Sequence, residues 1–200
     1  ANRRNIRAAA ALLEEAGWTV GEDGVLRNAA GEAFAFEILL AKGQDDMASA
    51  AAIYIEALQS LGISARVNMV DDAQYKERTN AYNFEVTHYI RALSLSPGNE
   101  QMLYWGSKGV TEPGTRNWPG IHSPAAEAMI TAMVQATDPA DFTTATRALD
   151  RVLTAGRYVI PFWYSDVSRL AHRKELKYPA HIPLYGDWPG FLPDTWWYEQ

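Results

Sequence analysis

Residues 34–70, FAFEILLAKGQDDMASAAAIYIEALQSLGISARVNMV, decide the fold. Residues 34–41 are a short apolar run with aromatic and β-branched members, which predicts a strand. Met47, Ala51, Tyr54, Ile55, Leu58 and Leu61 then recur at spacings of three and four, predicting an amphipathic helix that stops at Gly62. After it the period changes to two, with Ile63, Ala65, Val67 and Met69 alternating against polar neighbours, which predicts a second strand. Strand, helix, strand in this order is the crossover unit of an α/β sheet.

The flanks extend the same pattern. Residues 3–16 carry Ile6, Ala9, Leu13 and Ala16 on one stripe, and Gly17 stands where a helix commonly ends in the left-handed conformation. A short strand near Val25, a turn over 28–31 and the strand at 34–41 predict a hairpin. Asp71 and Asp72 can cap a short helix reaching about Asn80, and residues 83–90, NFEVTHYI, read as another strand. Ser123-Pro124 and Asp138-Pro139 each pair a capping side chain with a proline suited to the first helical turn. The first opens a helix with Ala126, Met129, Ile130, Met133 and Val134 on one face; the second carries Phe142, Ala145, Leu149, Val152 and Leu153 to Gly156. Residues 158–165 and 168–173 read as a last pair of strands, and beyond 178 Pro and Trp dominate without periodicity. The expected class is α/β with α+β character, a mixed sheet of roughly five to seven strands flanked by about five helices.

Composition narrows the chemistry. A net charge of −6 over 200 residues, with no cluster of Lys and Arg, argues against nucleic acid as a partner. Zero Cys removes disulfides, thiol catalysis and thiolate metal sites. His88, His122, His172 and His181 are far apart in sequence and form no metal-binding pair, so neither a metal nor a cofactor is expected. No nucleophile elbow or phosphate loop occurs, and Glu14-Glu15, Asp45-Asp46 and Asp71-Asp72 sit at predicted helix ends, where solvation or capping explains them. No enzyme is expected. Mean hydropathy is −0.25, no run is long enough to span a membrane, and the first twenty residues lack a secretion signal's apolar core. Ala1 stands directly before a predicted helix, which suggests a piece of a longer chain.

One region stands apart. Residues 89–118 fit no period, yet hold Tyr89, Arg91, Ser94, Ser96, Asn99, Glu100, Gln101, Tyr104, Trp105, Arg116, Asn117 and Trp118, rings interleaved with hydrogen-bonding groups. Long loops inside compact domains are commonly functional. As a ligand surface the rings would stack and the polar groups would orient a solute; the plainer alternative is a loop that covers a core or joins two lobes.

AAALLEEAGWTVGEDGVLRNAAGEAFAFEILLA (residues 9–41) resembles a segment of the bacterial extracellular solute-binding proteins of family 5, the oligopeptide- and dipeptide-binding components of ABC importers. The likeness continues through LGISARVNMVDDAQYKERTNAYNFEV and SPAAEAMI. SLSPGNEQMLYWGS, PGTRNWPGI and the late TWW are similar to the branch serving peptide and microcin C uptake. The resemblance implies a periplasmic protein of two lobes closing on a ligand, with residues 1–182 the second (C-terminal) lobe and 183–200 a tail returning to a first lobe. It implies a peptide or peptide-like ligand, an ABC permease as partner, and a cleft lined here by Tyr89 to Trp105. Many members carry W-x-x-D-Y in this loop, whose Asp pairs with the peptide's amino terminus; here it reads RALSLSP, with Leu93 or Ser94 at the Asp's place. Glu100 could replace that carboxylate, and Arg91 or Arg116 could instead meet a ligand carboxylate or phosphate. The aromatic excess, 7 Trp and 10 Tyr, also permits an oligosaccharide or another non-peptide solute, and a hydrolase is the more distant alternative.

Overall fold

The structure is a computed structural model that describes residues 2–90, 96–163, 167, 169–181 and 195–199. It falls into two units, Ala1–Tyr158 and Val159–Gln200.

The first unit opens with α1 (Arg3–Glu15), capped by the Asn2 side chain, which accepts from Arg4 N–H at 2.9 Å. It ends as Gly17 predicts. Gly17 has φ of +85°, its N–H donates to Glu14 O, and Trp18 N–H donates to Leu13 O, so the last carbonyls are satisfied. β1 (Thr19–Val20) and β2 (Leu26–Arg27) pair antiparallel, and the expected turn carries the chain from β2 through an Arg27–Ala33 bridge into β3 (Ala35–Ala41). α2 (Asp45–Gln59) crosses over to β4 (Ser64–Val70), which lies parallel to β3 in an unbroken seven-residue register from Ala35↔Ser64 to Ala41↔Val70. The crossover read from residues 34–70 is therefore present. Gly62 ends its helix as Gly17 does, with Gly62 N–H donating to Gln59 O and Ile63 N–H to Leu58 O. α3 (Asp72–Asn80), capped by Asp71, leads to β5 (Val86–Thr87), which pairs parallel with β3 and completes the order β4-β3-β5.

The core lies mainly between this sheet and α2. Ile38 and Leu40 meet Met47 and Ala51, while Leu26, Leu58, Ile63 and Ala65 form an adjoining cluster backed by Trp18, Phe34 and Phe36. The opposite face of β3 and β4 is more polar: Glu37 takes hydrogen bonds from Asn68 and Arg66, which hold its carboxyl below the usual range.

The structure differs from expectation in several places, the shortening of the expected 83–90 strand to Val86–Thr87 among them. The stretch 89–118, which fits no period, is not irregular throughout: its described residues include α4 (Glu100–Trp105) and a 3-10 turn at Ser107–Val110. Glu100, Gln101, Met102 and Leu103 are sound helix formers, but six residues are too few to show a period. α5 (Pro124–Gln135) and α6 (Pro139–Gly156) pair around Ala126, Ile130 and Leu149, and Trp105 packs on that cluster. Arg157, at φ of +50°, takes the left-handed position that the sequence suggests for Gly156. Finally, the described residues of 158–165 and 168–173 form no strands; Pro161 lacks the N–H a ladder requires. In the second unit β6 (Leu176–Lys177) instead pairs antiparallel with β7 (Trp197–Tyr198).

Candidate functional site

In open sheets of this kind ligands meet the carboxyl ends of the strands. β5 is the edge strand there, and its end is fixed from both sides. Thr87 Oγ1 donates to Leu39 O at 2.9 Å, and Tyr75 OH, from α3, donates to His88 O at 3.0 Å and lies 3.0 Å from Thr87 Oγ1. Burial pushes the Tyr75 hydroxyl's pKa up and the His88 imidazole's down. Tyr89 follows, 42% exposed, with its ring edge-on to Trp118 at 4.7 Å between centroids; Trp118 also meets Phe84 at 5.9 Å. One tryptophan thus runs along the edge strand from Phe84 to Tyr89.

The loop bearing Trp118 is anchored at several points. Gly114 N–H donates to Asn80 O at 2.9 Å, and the Tyr82 and Thr115 hydroxyls hydrogen-bond. Asn117 is 1% exposed: its Nδ2 donates to Gly106 O and Ile121 O, at 2.9 and 2.8 Å, and its Oδ1 accepts from Ile121 N–H at 2.9 Å. Its amide is therefore committed to backbone, and it acts as a bracket that closes residues 106–121 on themselves. A second bracket joins the 3-10 turn to α5: the Glu127 carboxylate accepts from Ser107 Oγ at 2.5 Å and Ser107 N–H at 2.7 Å, and these bonds hold its pKa below the usual range.

The remaining sequence-predicted residues separate into buried supports and exposed groups. Tyr104 is 8% exposed, and its hydroxyl accepts from Arg116 Nη1 at 3.2 Å, with the guanidinium carbon 5.9 Å from the ring centroid. Buried Gln101 accepts from Trp105 Nε1 at 2.9 Å, which fixes the half-buried indole. Arg116, Ser96, Asn99 and Glu100 are exposed. The Glu100 carboxylate accepts from Gly98 N–H at 2.9 Å and Gln101 Nε2 at 3.1 Å, which lower its pKa and tie it to the start of its own helix. Arg91 and Ser94 lie outside the described residues.

Sequence reasoning did not distinguish the brackets. Asn117 between Arg116 and Trp118 looks like any polar loop residue, and the Ser107–Glu127 pair spans 20 positions with no local signal. Among the described residues no group of three or more His, Asp or Glu is placed to hold a metal, and no helix is long and apolar enough to cross a membrane. Two clefts, about 380 Å3 beside α1 and α2 and about 340 Å3 lined by Glu37, Arg78, Tyr82 and Phe84, are both open to solvent. Neither of these two clefts is lined by Tyr89 or Trp118.

Residues 1–112 match the family model "Bacterial extracellular solute-binding proteins, family 5 Middle". The chain is 40% identical over 195 residues to the uncharacterized protein y4wM of Sinorhizobium fredii, covering 98% of this chain and 29% of that protein. It is 36% identical over 195 residues to the "Probable peptide-binding protein YejA" of Agrobacterium fabrum, covering 98% and 31%, and 34% identical over 199 residues to that organism's "Peptidoglycan-binding protein YepA", covering 98% and 31%. It spans about a third of the length of these curated relatives. Among solved structures, the oligopeptide-binding protein AppA of Bacillus subtilis, in complex with a nonapeptide, superposes with a TM-score of 0.74 at 18% identity, over 97% of this chain and 37% of that one. A mannohexaose-bound periplasmic oligopeptide-binding protein of Thermotoga maritima superposes with a TM-score of 0.70 at 19% identity, over 80% and 31%. The fold is thus that of part of a periplasmic oligopeptide-binding protein, and the chain belongs to the bacterial extracellular solute-binding proteins, family 5.

Proposed function

We propose that this chain forms one wall of a cleft in which an ABC importer's binding component captures a peptide or peptide-like solute in the periplasm and delivers it to a membrane permease. The carrying observation is the Tyr89–Trp118 ring pair at the carboxyl end of β5, held by a loop whose inward side chain is bracketed and whose neighbours at 116 and 118 remain at least partly accessible. Rings there stack on a ligand's apolar or planar groups while adjacent polar groups orient it. The partial exposure of both rings suits this role, because a lobe that closes on its ligand about a hinge supplies only part of the enclosure. Tyr89, Ser96, Asn99, Glu100, Trp105 and Arg116 are its proposed ligand-facing residues, together with Arg91 and Ser94; Tyr104 and Asn117 serve from beneath. In this reading residues 1–182 belong to the second lobe, 183–200 return toward the first, and the protein is a carrier rather than an enzyme.

The nonapeptide complex and the peptide-binding relative favour peptides. The mannohexaose-bound structure of the same fold favours a second reading, an oligosaccharide stacked on the same rings. Peptidoglycan, for which one relative is named, contains both chemistries. Mass spectrometry of whatever co-purifies with the full-length protein decides between them. A compound containing amide-linked amino acids supports the first reading, a sugar without them the second, and a metabolite of neither kind overturns both.

A further inference from the structure

The geometry points to Arg116 as the receptor for a ligand carboxylate, with Tyr104 as the residue that positions it. This deepens the peptide reading above and rests on it. Sequence alone left Glu100, Arg91 and Arg116 as competing anchors of opposite charge. The structure separates the two that it describes. Glu100 lowers its own energy locally, taking hydrogen bonds from Gly98 and Gln101 at the start of its helix. Its charge therefore already has donors, and a ligand ammonium would have to compete with them.

Arg116 is in the opposite condition. The ion pairs among the described residues are Asp23–Arg27, Glu37–Arg66 and Glu199–Lys177, so no described carboxylate lies within 4.0 Å of the Arg116 guanidinium. What holds it is neutral: the Tyr104 hydroxyl at 3.2 Å and the Tyr104 ring at 5.9 Å. Such contacts orient a guanidinium and leave its charge unneutralised, with donors to spare for the bidentate fork that a carboxylate accepts. Tyr104 is itself immobilised by burial, and Asn117, next in sequence to Arg116, is pinned by three hydrogen bonds to backbone. The cation is thus oriented from both sides, two residues from Trp118, whose ring meets Tyr89 edge-on. A site built this way discriminates by charge: it favours a ligand that presents a carboxylate over the same ligand with an amide there.

The test uses the full-length protein and three synthetic hexapeptide mixtures: C-terminal acids and C-terminal amides, both free of Asp and Glu, and C-terminal amides whose side-chain carboxylate is a single added Glu. Retained peptides are counted by mass spectrometry. Wild type is expected to retain acids over plain amides by about tenfold or more, the scale of one charge-assisted bidentate contact. R116M should abolish that preference and R116K should restore only part of it, since lysine keeps the charge without the fork. Y104F, which keeps the ring and loses the hydroxyl, should lower retention of the acids by a larger factor than that of the plain amides, a pattern that general loosening of the fold would not produce. Preference for the Glu-bearing amides instead of the terminal acids would assign the carboxylate to a side chain and still support the inference. Wild type retaining all three mixtures equally, or R116M keeping the wild-type preference, overturns it while leaving peptide capture intact. Retention of none of the mixtures overturns the peptide reading and this inference together.

Discussion

Replacing Asn117 tests whether the loop is a built support or a casual excursion. In N117A two carbonyls, Gly106 O and Ile121 O, and one N–H, that of Ile121, lose their partner in a place 1% exposed to water. At about 1 kcal/mol for each net hydrogen bond the loss is about 3 kcal/mol. That corresponds to roughly a hundredfold rise in local opening, and it appears as faster exchange of the Ile121 amide hydrogen in the full-length protein. N117D sharpens the test. Its carboxylate can still accept from Ile121 N–H but faces two carbonyl oxygens, so its folded pKa should rise above the unfolded value of about 3.9. A raised carboxyl pKa stabilises the fold below the unfolded value and loses that contribution as pH rises through the folded value. The deficit of N117D against wild type is therefore expected to be smallest below about pH 3.9 and largest at neutral pH. Unchanged Ile121 exchange in N117A, or a deficit in N117D that does not vary with pH, would refute the bracket.

Two further outcomes are expected. G62A should cost clearly more than G17A: both glycines have positive φ, but a Cβ at Gly62 would stand 2.6 Å from Gly24 O and 2.9 Å from Leu26 N, whereas at Gly17 it meets nothing within 4 Å. About 1 kcal/mol for G17A and at least about 2 kcal/mol for G62A follow, and equal losses of melting temperature would remove the steric argument. For Glu127, whose folded pKa is lowered first by the Ser107 hydroxyl, stability is present above the unfolded carboxyl value and is lost as pH falls through the folded one. S107A should accordingly show a shallower loss of stability between about pH 5 and pH 3 than wild type, and superimposable acid limbs in thermal unfolding would contradict it.

What could be read in the sequence was whatever repeats within a few residues. The change of period at Gly62 reveals the crossover, and Ser123, Asp138 and Asp71 each accept the backbone hydrogen bonds that their positions announce. The expected strand over 83–90 shrinks to Val86–Thr87 because only Ile38 and Leu39 remain opposite it, and no alternation of residues encodes where a partner ends. The candidate site was legible as a region but not as a set of roles. Tyr104 and Arg116 look equally available in a linear reading, yet one is buried and supports the other, and the contact joins residues 12 apart across a helix and a turn. Asn117 was misread for the same reason: its partners are backbone groups, which carry no identity in a sequence. The β6–β7 pairing brings Leu176 against Tyr198 across more than twenty intervening residues, beyond any local pattern.

The inward turn of Asn117 also bears on how such a protein could change its ligand. Because the residue that holds the loop alternates with the two that flank it, the side chains at 116 and 118 can be exchanged without disturbing the backbone hydrogen bonds made at 117. In the proposed reading, scaffold and specificity occupy adjacent positions of one short segment and are free to vary independently. On that proposal new ligands would be reachable by single substitutions, while a one-residue insertion beside Asn117 would shift the flanking side chains out of phase with it.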